Sequence, residues 1–377
     1  MTKPRVFFYV QHLLGIGHSM RAALIARAMT EIGLDVTLVN GGEATEIDNP
    51  GSVDFVQLPP ARAADASFSS IVDDQGNPID DTWKSRRRTA LLDAFKQSQA
   101  DATLIETFPF GRWPFRFEIL PLIDTARKSG AVLCSIRDIL VPKANPERNR
   151  QIATLTQEQF DGVLVHGDRN LVPLDDTFIY AADIEAKTFY TGYVAPPPEP
   201  SNSEAKDRII VSAGGGGTGE ILIAAALELV ADISALGLQW HFLTGPNAPP
   251  SITARLQATS GIISEPVRRD FRALLAGAAL SVSQAGYNTV LDVLVSQTRN
   301  VLVPFSRFGQ TEQAMRANLL ADKGMTITID EQTLSPTGLL SAIKEALRMK
   351  KPDSTGIDFN GAKKTARLVQ QFATNQQ

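Results

Sequence analysis

The chain is 377 residues long, too many for one ordinary core and enough for two domains. Hydrophobic residues at 43% and charged residues at 21% describe a soluble globular protein, and a net charge of −4 gives no electrostatic reason to bind nucleic acid. The single cysteine, Cys134, lies in the apolar run AVLCSI, which excludes a disulfide framework and any cysteine-based metal centre. No run approaches the ~18 apolar residues of a membrane span. The N-terminal apolar run is too short for a signal peptide and leads straight into a glycine turn. A cytoplasmic protein is expected, with room for peripheral contact at the inner face of a membrane.

In chain order, VFFYV (6–10) reads as a strand, and the turn LLGIGHS leads into a helix, MRAALIARAMTEIG, whose Gly33 suits the position just past a helix end. Strands follow at 35–40 and 53–58. The basic run KSRRRTALLDAF (84–95) places cations at a helix start, against the dipole preference, and reads first as a solvated face. The strand at 102–107 runs into ETFPFGRWPFRFEILPL (106–122), where Phe108, Phe110, Trp113, Phe115 and Phe117 interleave with Arg112 and Arg116. Three readings stay open there: an acceptor pocket using Glu106 or Arg112, a patch meeting lipid head groups, or a helix packed by its aromatic face. Further strands fall at 131–136 and 162–167, with Arg137 and Asp138 just past the first of them, where an internal ion pair is the leading account. Pro196, Pro197, Pro198 and Pro200, followed by small polar residues, suit an exposed, stiff linker.

Beyond the linker the alternation resumes, with strands at 208–213, 238–245, 261–265, 280–284, 300–305 and 325–329. Strands alternating with helices imply parallel sheets, so the fold class is α/β with two doubly wound, Rossmann-like domains and a ligand cleft between them. The expected boundaries are 1–195, a linker at 196–207, a second domain at 208–355, and a C-terminal helix in 356–377 that has the first domain as a docking surface.

The run SAGGGGTGE (212–220) follows the strand RIIV and opens a helix, an arrangement that points free N–H groups and a helix dipole at one spot. A P-loop would need Gly-Lys-Ser/Thr where Thr218-Gly219-Glu220 stands. A dinucleotide fingerprint is met formally by Gly214, Gly216 and Gly219, yet the next strand ends without the acid that holds a ribose. The remaining functional reading is a diphosphate cradle made by Gly214, Gly215, Gly216, Gly217 and Thr218. The structural alternative is a tight turn, for which one glycine would suffice.

At 281–292, SVSQAGYNTVLD reads as a strand ending at Gln284, a turn, and a helix capped by Asn288 or Thr289 that carries Asp292. The strand NVLVPF then leads through SRFGQ into a helix opening near Thr311-Glu312-Gln313. Gly286, Asp292, Glu312 and Gln313 thus fall at the C-terminal ends of adjacent parallel strands, where open α/β sheets bind ligands.

These segments, with LLGIGHSMRAALIARAM (13–29), resemble the GT-B glycosyltransferases and especially family 28. The likeness is good over roughly 208–330 and weaker over 1–195. The stretch Phe-Pro-Phe-Gly-Arg before FEILPL is also similar to a motif of a bacterial subgroup of glycosyltransferases. The resemblance implies transfer of a sugar from a nucleotide-diphosphate donor, a UDP-sugar, to an acceptor hydroxyl, with inversion and without a metal. No Asp-x-Asp motif is present to hold one. No cofactor is expected beyond the donor, which is a substrate, and the acceptor and oligomeric state are not readable. Hydrolysis or epimerisation of a nucleotide sugar, or binding without catalysis, are the competing functions.

By the same resemblance, Gly214 to Thr218 hold the diphosphate and Asp292 the ribose. Val267, Arg268, Gly286, Asn288 and Thr289 surround the nucleotide, while Gln310, Glu312 and Gln313 meet the donor sugar. Glu312 replaces a Gln, so the sugar need not be N-acetylglucosamine. His18 is the expected base, because the helix dipole disfavours an imidazolium and leaves a neutral acceptor of protons near pH 7. Gly17, Glu106, Arg112 and Arg137 complete the acceptor side.

Overall fold

The computed structural model describes residues 3–13, 17–44, 53–64, 70–141, 145–212, 219–245, 248–306 and 311–374. The chain divides into two compact units, Met1–Val194 with Ile357–Gln377, and Ala195–Gly356.

In unit 1, β1 (Arg5–Val10), α1 (Gly17–Glu31), β2 (Asp35–Asn40) and β3 (Asp54–Gln57) come first. A short antiparallel pair, β4 (Ala61–Ala63) and β5 (Ile71–Asp73), precedes α2 (Asp81–Ser98) and β6 (Ala102–Glu106). Then follow α3 (Arg116–Ala126), β7 (Ala131–Arg137), α4 (Pro146–Gln159), β8 (Gly162–His166) and β9 (Thr188–Tyr190). The main sheet is parallel, in the order β3-β2-β1-β6-β7-β8-β9. Its direction of winding reverses between β1 and β6, so the loops after those two strands border the switch point where doubly wound sheets take ligands.

Period-two alternation divides β1 between two cores. Phe7 and Tyr9 pack with Phe115, Ile119 and Phe160 on one face, and Val6, Phe8 and Val10 pack with Ile25 and Met29 on the other. Helix α1 stops at a glycine as its sequence demands. Gly33 lies at φ +90, its N–H bonds Thr30 O at 3.0 Å, and Leu34 N–H bonds Met29 O at 3.0 Å, the paired bonds of a Schellman end.

Unit 2 opens with β10 (Arg208–Ser212), α5 (Glu220–Leu227), α6 (Val230–Ala235), β11 (Gln239–Thr244), α7 (Pro250–Ala258) and β12 (Ile263–Pro266). It continues with α8 (Phe271–Gly277), β13 (Leu280–Ser283), α9 (Tyr287–Val295), β14 (Asn300–Leu302), α10 (Glu312–Asp322), β15 (Ile327–Thr328) and α11 (Pro336–Arg348). Its parallel sheet runs β12-β11-β10-β13-β14-β15, with the switch point between β10 and β13. The chain then returns to unit 1 as α12 (Gly361–Thr374), whose Ala366, Val369 and Ala373 join the core under α1. Among the described residues, no helix is long and apolar enough to cross a membrane.

Four local expectations are refined. The proline-rich segment is exposed at Pro197, Pro198 and Pro200 as expected and is also anchored to unit 2: Glu199 ion-pairs with Arg272, and Asn202 N–H bonds Ala273 O at 2.8 Å. Helix α9 has Gly286 at its N-cap position with no side-chain cap, so Asn288 and Thr289 sit inside the first turn. In the aromatic stretch, packing by the aromatic face is borne out: Phe108, Phe110 and Phe115 are core residues, and Trp113 donates its indole N–H to Pro109 O at 2.7 Å. In the basic run, Arg87 is fully buried rather than solvated.

Arg87 is buried because it ties three elements together. Its Nε lies 3.0 and 2.8 Å from the two oxygens of fully buried Glu118, its Nη1 donates to Gly41 O (2.8 Å) and Pro59 O (2.6 Å), and its Nη2 donates to Gln11 Oε1. Tyr9 Oη donates to the same Glu118 at 2.6 Å. Removing one member of such a pair strands the other charge, at a cost of about 3–5 kcal/mol. Arg87→Met should therefore weaken protection of the β1 and β6 amides in hydrogen exchange by that amount, and adding Glu118→Leu should restore much of it. A loss below about 1 kcal/mol for the single change contradicts this role.

Candidate functional site

The loops after β1 and β6 bring His18 and Glu106 together across 88 positions of sequence, with His18 Nδ1 2.7 Å from Glu106 Oε1. Glu106 closes β6 with 1% of its surface exposed; His18 lies in the first turn of α1 with one-fifth of its side chain, 20%, exposed. Arg21, one turn further along α1, donates to the same Glu106 oxygen, and Thr107 Oγ1 donates to the other at 2.6 Å. Arg112 Nη2 stands 3.1 Å from His18 Nε2.

These contacts fix the histidine tautomer. A guanidinium only donates, so Nε2 carries the lone pair and Nδ1 carries the proton given to Glu106. The 3.3 Å approach of Arg21 Nη2 to Nδ1 is then two donors side by side, aimed at one oxygen. Burial lowers His18 to a pKa of about 4; Glu106 opposes the shift, and Arg112 and Arg21 reinforce it. Burial would raise Glu106, but His18 and Arg21 hold its carboxyl well below the usual range. His18 is therefore neutral at pH 7, with burial the leading cause.

The loop carrying Arg112 is strained. Thr107 and Arg112 hold φ of 68 and 61, the left-handed region that a β-branched residue such as Thr107 rarely enters. Arg112 Nε donates to Gln11 O at 2.5 Å, and Gln11 Nε2 donates to His12 O and Ala61 O at 2.7 and 3.1 Å. Gln11 thus joins the buried Arg87–Glu118 pair to the His18 cluster. Arg137, at the end of β7, lies near enough to Arg112 for its charge to lower the Arg112 pKa. Gly17 is the first residue of α1. Sequence reasoning missed Arg21 and Gln11; the i, i+3 spacing of His18 and Arg21 was the available signal.

A second buried histidine, His166, bridges Ser135 Oγ (2.7 Å) and Thr191 Oγ1 (2.9 Å) behind this cluster, and burial lowers its pKa to about 3.

In unit 2, the positions assigned to the diphosphate, Gly214 to Gly217 and Thr218, lie outside the described residues, as does Gln310. Gly286, Asn288 and Thr289 stand at the start of α9, past the end of β13. Asp292 is buried one turn further in; burial raises its pKa to about 7, against Arg272, whose Nη1 is 3.9 Å from its Oδ1. Val267 is 52% exposed just past β12. Arg268 is held by Asp270 at 2.8 and 2.7 Å and by Glu265 at 3.4 Å, so its fork is already engaged. Glu312 opens α10 and accepts from Arg316 Nη2 at 2.9 Å, while Arg316 stacks over Tyr287 and Gln313 Oε1 accepts from Phe305 N–H at 3.0 Å. These contacts tie the start of α10 to the ends of β13 and β14.

The two neutral histidines of unit 1 give it a signed pH dependence. An unfolded imidazole titrates near 6.5, so below that value the unfolded chain binds protons that folded His18 and His166 refuse. The stability they contribute is complete above about pH 6.5. It declines as pH falls towards about 4 for His18 and about 3 for His166, by about 1.4 kcal/mol per pH unit for each. Imidazole NMR should find both rings neutral from pH 8 down to about 5.5; a midpoint near 6.5 for either contradicts the assignment.

Residues 209–372 match the model of the glycosyltransferase family 28 C-terminal domain. The UDP-N-acetylglucosamine--N-acetylmuramyl-(pentapeptide) pyrophosphoryl-undecaprenol N-acetylglucosamine transferase of Exiguobacterium sp. is 26% identical over 145 residues, 38% of this chain and 40% of that relative. The protein of the same name from Rippkaea orientalis is 27% identical over 189 residues, 49% and 51% of the two chains. The matches therefore span about half or less of the curated relatives' length. Among solved structures, MurG of Acinetobacter baumannii aligns with a TM-score of 0.57 at 16% identity, over 98% of this chain and 100% of that one. The spinosyn rhamnosyltransferase SpnG complexed with thymidine diphosphate aligns with a TM-score of 0.61 at 14% identity, over 98% and 96%. Likeness at such identities carries the fold, which is that of the GT-B glycosyltransferases. Residues 209–372, under half of the chain, thus match the family 28 C-terminal domain, and the chain has the GT-B fold.

Proposed function

We propose that this chain is a glycosyltransferase that moves a sugar from a nucleotide-diphosphate donor to an acceptor hydroxyl, with inversion and without a metal. The observation that carries the reading is the His18–Glu106 pair at the switch point of unit 1, with Nδ1 2.7 Å from the carboxylate and the lone pair on Nε2. A neutral imidazole backed by a buried anion can take a proton from an attacking hydroxyl, because Glu106 stabilises the imidazolium as it forms. The acceptor oxygen then attacks the anomeric carbon in line, and the nucleoside diphosphate leaves from the opposite face.

Unit 2 supplies the donor side in this reading. Family 28 likeness over 209–372 supports a nucleotide diphosphate held by Gly214 to Thr218 through backbone N–H groups, which stabilise the leaving charge where other folds use a metal. Asp292 holds the ribose, with Gly286, Asn288, Thr289 and Val267 beside the nucleotide. Glu312, Gln313 and Gln310 hold the sugar. The UDP in the names of the curated relatives favours uridine, whereas thymidine diphosphate in SpnG shows that the fold admits another base.

A thermal-shift screen of nucleotide sugars tests the donor side. A ligand at about a hundredfold excess over its Kd should stabilise the protein by about 2.7 kcal/mol. Asp292→Ala should reduce the shift from nucleotide and donor alike, and Glu312→Ala should remove only the part that the sugar adds. Absence of any shift from the panel, or equal losses from both variants on free nucleotide, contradicts these roles.

A further inference from the structure

The lone pair that a base needs is occupied. Arg112 Nη2 donates to His18 Nε2 at 3.1 Å, so an acceptor hydroxyl cannot reach Nε2 while the guanidinium stays there. Among the described residues, the other hydrogen bond of this guanidinium goes from Nε to Gln11 O at 2.5 Å, and no carboxylate pairs with it. Its partners are thus a carbonyl and a neutral ring. Three of its five N–H groups remain, including both on Nη1, and they form a planar fork of the shape that matches a phosphate or carboxylate.

The charge around it leans the same way. Glu106 is already the shared partner of Arg21 and His18. Burial lowers the Arg112 pKa, Glu106 raises it, and the Arg137 charge lowers it again. A partly buried cation held by neutral acceptors gains most from an anion, since bidentate arginine–oxyanion pairs are about twice as strong as neutral hydrogen bonds.

We propose that Arg112 is an oxyanion-reading latch on His18, and that the acceptor carries a phosphate or carboxylate close to its reacting hydroxyl. The oxyanion seats on the Nη1–Nη2 edge and draws the guanidinium off Nε2. The freed lone pair then accepts the proton of the neighbouring hydroxyl as its oxygen forms the new glycosidic bond. An acceptor without the anion leaves the latch closed. This rests on His18 acting as the base in the proposed transfer and adds the class of acceptor it serves.

The test needs neither donor nor turnover, so it can fail independently of the proposed transfer. Imidazole NMR follows His18 while inorganic phosphate, and separately succinate, is titrated into the full chain. In the wild type one or both should bind saturably, shift the His18 Nε2 resonance and raise the His18 pKa by at least one unit. The stronger of the two distinguishes a phosphate-bearing acceptor from a carboxylate-bearing one. Arg112→Gln should weaken the response at least tenfold and should already show a raised His18 pKa without anion. Arg112→Lys, which keeps the charge but not the fork, should also weaken it, with backbone spectra verifying the fold of each variant. An unmoved His18 in the wild type overturns the proposal, as does an undiminished response in Arg112→Gln. Phosphate shifts confined to unit 2 overturn it as well.

Discussion

The Glu106 carboxylate has almost no contact with solvent, so its charge must be balanced by groups within hydrogen-bond reach. That requirement orders the surrounding residues. Arg21 neutralises it from α1, His18 donates to it through Nδ1, and Thr107 accepts a left-handed backbone to place its hydroxyl on the second oxygen. With Nδ1 committed, the ring's tautomer and plane follow, and Nε2 is left as the reactive nitrogen. The second buried pair, Arg87 with Glu118, supports the same loop through Gln11. Charges placed inside unit 1 thus fix the geometry of His18 at its switch point.

Unit 2 uses charge differently. Asp292 is buried against a single arginine at 3.9 Å, a contact too loose to offset desolvation, and its pKa rises to about 7. Glu312 has a close arginine at 2.9 Å that also stacks on Tyr287. One carboxyl is therefore able to donate or accept near neutrality, while the other is held in place by a cation. Either carboxyl can hydrogen-bond a hydroxyl, as the ribose and sugar roles proposed for these residues require.

Much of the fold was legible because parallel strands covered on both faces read as unbroken apolar runs, as in VFFYV and AVLCSI. Gly33 announced the end of α1 for the same steric reason that it occupies φ +90. The strand β9 escaped notice because three half-buried residues carry too little pattern. The start of α9 was misjudged because Gly286 fills the cap position without any side chain to mark it. In the site, the rule about strand ends pointed to His18 and Glu106 separately. Their pairing across 88 residues has no local signature, and neither has the descent of Arg87 into the core, where a distant Glu118 outweighs its basic neighbours.

In the proposed transfer, His18 acts on a hydroxyl after a nucleotide-sugar donor has bound. The most direct measurement is the release of nucleoside diphosphate from whichever nucleotide sugar stabilises the protein, with water as the fallback acceptor and inorganic phosphate or succinate present to free His18 Nε2, in the wild type and in His18→Ala. The wild type should release it slowly and the variant about 10²–10⁴-fold more slowly, with donor affinity unchanged. Equal release by both proteins would contradict that role of His18.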